Sequence, residues 1–233
     1  AAPGGKSTLL STYFNNGLVV SNEVIKQRAS VLVENMTKWG ASNTVVTNND
    51  PVHFQSVPGF FDVMVVDAPC SGSGLFRKDP TAMDGWSIDL VALCAQRQQR
   101  ILADVLPSLA LGGVLIYATC SYDVKEDEQI ADWLVNEMAL TPQAIDIGNF
   151  AGIIQTAAPI SNAPGYRFYP DQIKGEGFFI AAFKKEKEAA EALAKTQPIP
   201  PTSGTNSLQG DEPVKPTTPD ASQSTVKEKT TGD

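Results

Sequence analysis

Two short stretches carry side chains able to do covalent chemistry: DAPCSGSG (residues 67–74) holds Cys70, and ATCSY (118–122) holds Cys120. A cysteine thiolate is intrinsically very nucleophilic and can hold a substrate covalently through a step that is otherwise slow. A lone cysteine at a strand end is more often a small buried hydrophobe. Here two of the three cysteines sit in Gly- and Ser-rich turns directly after apolar runs, which favours chemistry over packing. Cys94, among Leu90, Val91 and Leu93 on a helical pattern, keeps the buried reading. A third stretch, AAPGGKST (1–8), is a Gly-Gly turn entering a helix. Such a turn aims backbone N–H groups at a carboxylate or phosphate.

These turns need elements to hold them, and the chain alternates helix and strand signals. Ser7 to Asn16 reads as a short helix closed by Gly17, followed by the apolar run LVVSNE (18–23). Lys26 to Trp39 has helical spacing at Ala29, Leu32, Val33 and Met36, with Gly40 as a left-handed stop. A short strand over 43–50 follows, then FFDVMVVDAP (60–69), whose unbroken apolar run predicts a strand buried on both faces. Asp89 to Ala110 reads as a long helix bent near Pro107 and ended by Gly112-Gly113. GVLIYATCS (113–121) is a second buried strand, Asp127 to Met138 an amphipathic helix with Ile130, Leu134 and Met138 on one face, and GFFIAAFKK (177–185) the last strong strand. This order predicts an α/β, Rossmann-like fold with a mostly parallel, doubly wound sheet.

Composition sets the outer bounds. The 233 residues, 42% hydrophobic and 19% charged, fit one catalytic domain over residues 1–185 and an extension. Residues 186–233 open on a charged, Ala-rich stretch and continue as PIPPTSGTNS and KPTTPDASQS without apolar periodicity, the composition of a disordered or partly helical linker or tail. Three cysteines without a CxxC pair and a single histidine, His53, give neither a disulfide framework nor a zinc-ligand spacing. The thiols are therefore expected to be free, in a reducing, cytoplasmic compartment, with no metal and with His53 an ordinary loop residue. No apolar run is long enough to span a membrane and no signal peptide is visible, although the chain starts at Ala1 inside a motif. A net charge of −8 argues against a broadly basic nucleic-acid binder. A local basic surface remains open, with Arg77 and Lys78 beside the first cysteine turn and Arg167 and Lys174 before GEGFF as candidates for phosphate contact.

Two readings of AAPGGKST compete. It can be the end of a Walker A loop, with MVVDAP as the acid that holds magnesium; this leaves Glu23 and both cysteines unexplained. It can instead open a nucleoside-cofactor site. Glu23 then falls 18 positions after Gly5 (23 − 5), where a ribose-binding acid is expected, and Asp50 ends the next strand near the adenine. Three strand ends would line one cleft. A nicotinamide site would show G-x-G-x-x-G, which is absent.

AAPGGK, SNE, DAPCSGSG, ATCS and KGEGFFIAAFKK, in this order, resemble the Nol1/Nop2/Sun family of RNA cytosine-5 methyltransferases, and RFYPDQIKGEGFF is similar to its bacterial ribosomal-RNA branch. The resemblance covers roughly residues 1 to 185. It implies a Rossmann-like S-adenosylmethionine-dependent methyltransferase whose first strand, the one leading into AAPGGK, is missing from this chain, and a monomer that acts on RNA, ribosomal RNA by its branch. Residue by residue, it implies Cys120 as nucleophile, Cys70 as the thiol that aids product release, Asp67 against the cytosine ring, and Lys6 in the same pocket, where its charge can lower a thiol pKa. Glu23 and Asp50 would hold the ribose and adenine, and the loop Ala2, Pro3, Gly4, Gly5 and Lys6, with Asp67, would complete the cofactor site. DNA cytosine-5 methyltransferases use a Pro-Cys nucleophile in the earlier motif, so Cys70 is the rival nucleophile. An amino-group methyltransferase is disfavoured because its D/N-P-P-Y/F clamp is replaced by Asp67-Ala68-Pro69-Cys70. The strand ending at Glu23 and the strand ending at Asp67 would flank the missing one, with Val19, Val63 and Val65 exposed along the gap.

Overall fold

The computed structural model describes residues 1–186; all but the first residue of the tail read over 186–233 lies outside the described residues. The first elements are α1 (Gly5–Tyr13), β1 (Val19–Asn22), α2 (Lys26–Trp39) and β2 (Thr44–Thr47). Helix α2 forms where the spacing predicts. It buries Ala29, Leu32 and Met36 and ends at Gly40, whose φ of 77° lets its N–H return to the Met36 carbonyl at 3.1 Å. Strands β1 and β2 pair in parallel, Val19 opposite Thr44.

The next unit is β3 (Phe61–Asp67), α3 (Ile88–Val105), β4 (Leu109–Thr119) and α4 (Glu128–Asn136), with β3 and β4 parallel. The Ser87 side chain starts α3 by accepting from the Leu90 N–H at 3.1 Å. The helix is shorter than the expected Asp89–Ala110. Pro107 has no N–H to give it, so the chain tightens into a 3-10 turn at Leu106–Ser108, and Leu109 is already a strand residue opposite Phe61. Gly112-Gly113, expected as a helix stop, lie inside β4, where the ladder skips from Leu109 to Val114.

Strands β5 (Thr141–Gln143), β6 (Ile153–Ala157), β7 (Pro164–Phe168) and β8 (Phe178–Lys184) complete a six-stranded sheet of order β3-β4-β8-β7-β6, with β5 also on β8. The helix-linked strands are parallel, as the Rossmann-like class requires, and this last group joins antiparallel. Of the four, only β8 is predicted by the sequence pattern. Leu102, Leu109, Leu115, Tyr117, Ile130, Leu134, Phe179 and Phe183 are wholly buried in one cluster that joins α3, α4, β4 and β8. Each such side chain stabilises the fold by about 1.5–3 kcal/mol.

Strand β3 departs from expectation. Its apolar run predicts burial on both faces, yet every residue keeps some exposure, whereas β4 buries Leu115, Tyr117, Ala118 and Thr119. The reason is pairing. Strand β3 is an edge of the larger sheet and β1 pairs only with β2, so among the described residues no strand pairs with the other edge of either. In the expected arrangement these two edges flank one further strand. Val19 is nevertheless buried, at 9% exposure, while Val63 and Val65 stay half-buried.

Unpaired amides that become buried cost about 1–3 kcal/mol each, and a domain is stable by only about 5–15 kcal/mol. Residues 1–233 alone are therefore expected to melt without a cooperative transition in calorimetry, and a longer chain that supplies one more strand to melt sharply. A sharp melt of residues 1–233, together with cofactor binding, would contradict this.

Candidate active site

Strands β3 and β4 run parallel and in register to their ends, with Asp67 opposite Ala118 and the Ala68 N–H donating to the Ala118 carbonyl at 2.9 Å. The two cysteine turns thus leave the sheet side by side. The result is a contact of 3.1 Å between the sulfurs of Cys70 and Cys120. The backbone locks it. The Gly74 N–H donates to the Cys120 carbonyl at 2.8 Å, and the Gly177 N–H, entering β8, donates to the Gly74 carbonyl at 3.2 Å. A Cβ on Gly74 would lie 2.5 Å from the Cys120 oxygen and one on Gly177 2.2 Å from the Tyr122 ring, so only glycine allows this approach.

Charge is arranged around the sulfurs. Lys6, on the first turn of α1, donates to Asp67 Oδ2 at 2.9 Å and lies 5.2 Å from the centre of the Phe178 ring. Cys120 is held below the ordinary thiol value, first by the hydrogen bond it accepts from Cys70 and also by the Lys6 charge, against burial and the Asp67 charge. Cys70 is pushed up by donating that bond, by burial and by the charge on Cys120. The pair holds one proton easily and two thiolates hardly at all. These opposed shifts favour Cys120 over Cys70 as the sulfur that ionises first.

The loop and strand-end residues expected to hold a cofactor are partly joined to this centre. Gly4 turns with φ 124° against Leu32 of α2, the Ala2 carbonyl accepts from Arg28 at 2.8 Å, and the Pro3 carbonyl accepts from Asn35 at 2.7 Å. Gly5 opens α1. Glu23 is buried at the end of β1 and accepts from the Ala2 N–H at 3.0 Å, the Ile25 N–H at 3.2 Å and the Ala1 amine at 3.0 Å. Burial alone would raise its pKa; these bonds, that of the chain-terminal amine first among them, outweigh burial and lower it. Asp50 caps the 3-10 turn Pro51–Ser56 by accepting from the Val52 N–H at 3.2 Å.

Several surface readings change. Arg167 is no phosphate contact: at 4% exposure it is ion-paired to Asp127 at 3.1 Å and hydrogen-bonded to Glu128. Its guanidinium is held by the two acids at the start of α4. Arg77 donates to the Gly175 carbonyl and Lys78 pairs with Glu176 at 3.1 Å, so both brace the segment before β8. Lys174 is exposed, Cys94 is buried in α3 as expected, and His53 lies in the turn after Asp50.

Glu126 was not among the expected site residues, yet its carboxyl accepts from Ser71 and Ser121, the neighbours of the two cysteines. Glu126 stands just before the helix expected over Asp127 to Met138, in the charged run KEDE. The available signal was spacing, since Glu126 continues the stripe of Ile130, Leu134 and Met138 at four-residue steps.

Residues 1–184 match the family described as 16S rRNA methyltransferase RsmB/F. The chain belongs to this family. Similar relatives are the ribosomal RNA small subunit methyltransferases F of Pectobacterium carotovorum subsp. carotovorum, 33% identical over 94% of this chain and 43% of the relative, and of Pectobacterium atrosepticum, 36% identical over 79% and 38%. The chain thus spans less than half the length of these family members. Among solved structures, NSun6 from Pyrococcus horikoshii with SFG is 25% identical with a TM-score of 0.67, over 81% of this chain and 47% of that one. A methyltransferase homolog protein from the same organism is 28% identical with a TM-score of 0.67, over 79% and 59%.

The hydrogen bond from Cys70 has a measurable consequence. In Cys70→Ala the Cys120 thiolate loses its donor, so the pH midpoint for alkylation of Cys120 by iodoacetamide, followed by peptide mass spectrometry, is expected to rise. An unchanged or lower midpoint would contradict the assignment of the ionising sulfur.

Proposed function

We propose that the protein to which this chain belongs transfers a methyl group from S-adenosylmethionine to carbon 5 of a cytosine in small-subunit ribosomal RNA, through a covalent adduct with Cys120. The observation that carries this reading is the pair of sulfurs 3.1 Å apart at the ends of two adjacent parallel strands. Family membership supports the ribosomal RNA substrate and the methyl transfer.

The residues present fit a nucleoside cofactor. The N–H groups at the start of α1 have no partner within the helix, and Lys6 on that turn reaches Asp67 at the end of β3. The loop Ala2, Pro3, Gly4, Gly5 and Lys6 would hold the methionine end, and Glu23, Asp50 and Asp67 the remainder. A carboxylate has roughly four lone-pair sites; the Ala2 and Ile25 N–H groups occupy two of them on Glu23, which leaves room for a ribose hydroxyl. When bound, S-adenosylmethionine supplies an electrophilic sulfonium methyl.

The chain's own residues do the rest. Carbon 5 of cytosine is a poor nucleophile. The Cys120 thiolate adds to carbon 6, which makes carbon 5 electron-rich, and protonation of ring nitrogen 3 favours that addition; Asp67, held by Lys6, would contact the cytosine ring. Once Cys120 is bonded to carbon, its charge and its hydrogen bond no longer hold the proton on Cys70, and burial alone still does. Cys70 then gives its proton to water and, as thiolate, accepts the carbon 5 proton; the electron pair of that C–H bond re-forms the ring double bond and expels Cys120 as its thiolate, and the product leaves. The target base must leave its stack to reach both sulfurs.

In the full-length protein, Cys120→Ala is expected to abolish both methylation and covalent attachment to RNA. Cys70→Ala is expected to attack, receive the methyl and stall, leaving a protein–RNA adduct that survives a denaturing gel. The opposite pattern, with an adduct from the Cys120 variant alone, would make Cys70 the nucleophile.

A further inference from the structure

We propose that Glu126 is a positioning residue whose buried carboxyl ties the two cysteine turns together and sets the distance between the sulfurs. This rests on the reading of Cys70 and Cys120 given above.

Glu126 has no exposed surface. Its Oε1 accepts from the Ser71 N–H at 2.8 Å and from Gln98 Nε2 at 3.2 Å. Its Oε2 accepts from Ser71 Oγ and from Ser121 Oγ, both at 2.6 Å. Ser71 follows Cys70 and Ser121 follows Cys120, so one carboxyl grips both turns one residue beyond each thiol. No ion pair reaches it among the described residues. That separates Glu126 from Asp127 and Glu128, which answer the Arg167 charge and so have an evident structural role.

The anchor itself is held from below. The Tyr117 hydroxyl, inside β4, donates to the Glu126 carbonyl at 2.5 Å, and the Glu126 N–H donates to the Asp123 carbonyl at 3.1 Å. On the other side, Gln98 of α3 also donates to the Pro69 carbonyl at 3.0 Å, and Trp86 Nε1 donates to Ser71 Oγ at 3.2 Å. The strand ladder ends at Ala68, so beyond it the two turns have few backbone links of their own. Their separation is fixed by the Gly74–Cys120 bond, by the Ser73 hydroxyl, which accepts from the Tyr122 N–H at 2.8 Å and lies 3.4 Å from Ser121 Oγ, and by this carboxyl. No hydrogen bond joins Glu126 to either sulfur, which makes its action indirect.

Glutamine has the same shape as glutamate, and a Glu126→Gln amide can still accept from the Ser71 N–H while its NH2 donates to the two serine hydroxyls, which rotate to accept. Alanine severs every link. Dibromobimane, which becomes fluorescent on bridging two close thiols, reads the Cys70–Cys120 separation without RNA or cofactor. In the full-length protein, Glu126→Ala is expected to remain labelled by monobromobimane at both thiols yet lose most dibromobimane bridging. Its kcat for RNA methylation is expected to fall roughly 100-fold, the loss that a misplacement of about 1 Å produces, with KM for RNA unchanged. Glu126→Gln is expected to restore most of both signals. Wild-type bridging in Glu126→Ala would overturn the proposal, whatever its kcat. If Glu126→Ala fails to fold, the Ser71→Ala/Ser121→Ala pair cuts two of the same links from the turns and is judged by the same outcomes. Wild-type protein that bridges but methylates no RNA would refute the proposed function and leave the positioning test intact.

Discussion

The parallel ladder between β3 and β4 is the constraint on which the site depends. Neighbouring strands lie about 4.7–4.9 Å apart, and in a parallel pair both leave the sheet at the same end, so any two residues just past a matched register are brought together. With Asp67 opposite Ala118, the turns that follow must begin beside one another. A sulfur–sulfur contact of 3.1 Å is what that register makes possible. At this distance two negative charges repel strongly, so the pair resists holding two thiolates. The two chemically identical side chains are shifted in opposite directions, chiefly by the hydrogen bond between them.

The rest of the sheet serves this junction. Strand β8 brings Gly177 under Tyr122 and Phe178 beneath Lys6. Strand β7 carries Arg167, whose guanidinium holds Glu128 and pairs with Asp127 at the start of α4. Asp127 in turn accepts from the Thr119 hydroxyl at 2.5 Å, one residue before Cys120. The antiparallel strands thereby act as a backing plate for the turn after β4. Buried charges of this kind are costly when one partner is removed, which ties the integrity of the active turn to residues far along the chain.

Much of this was legible in the residues themselves. FFDVMVVD and GVLIYATC read as strands because unbroken apolar runs have few other fates in an α/β chain, and Gly40 marks a helix end because few residues accept its left-handed φ. The cysteines stand out through their Gly- and Ser-rich turns. Other features depended on partners that no local pattern reveals. Pro107 ends α3 earlier than expected, and the short strands TPQ, IIQTA and PGYRF exist because β8 and its neighbours offer edges to pair with. Arg167 looked like a surface cation until the sheet folded it onto Glu128. Glu126 was hidden because an acidic run normally faces water, and only its place on the stripe of Ile130 and Leu134 hinted otherwise.

The central claim is that Cys120 is the atom that bonds to the substrate. It is tested most directly by trapping the full-length protein on RNA in which cytosine carries fluorine at carbon 5, so that the proton to be removed is absent and the adduct persists. After nuclease and trypsin digestion, the nucleotide mass is predicted on the peptide Ile101 to Lys125, which contains Cys120. The same mass on the peptide Trp39 to Arg77, which contains Cys70, would contradict the account.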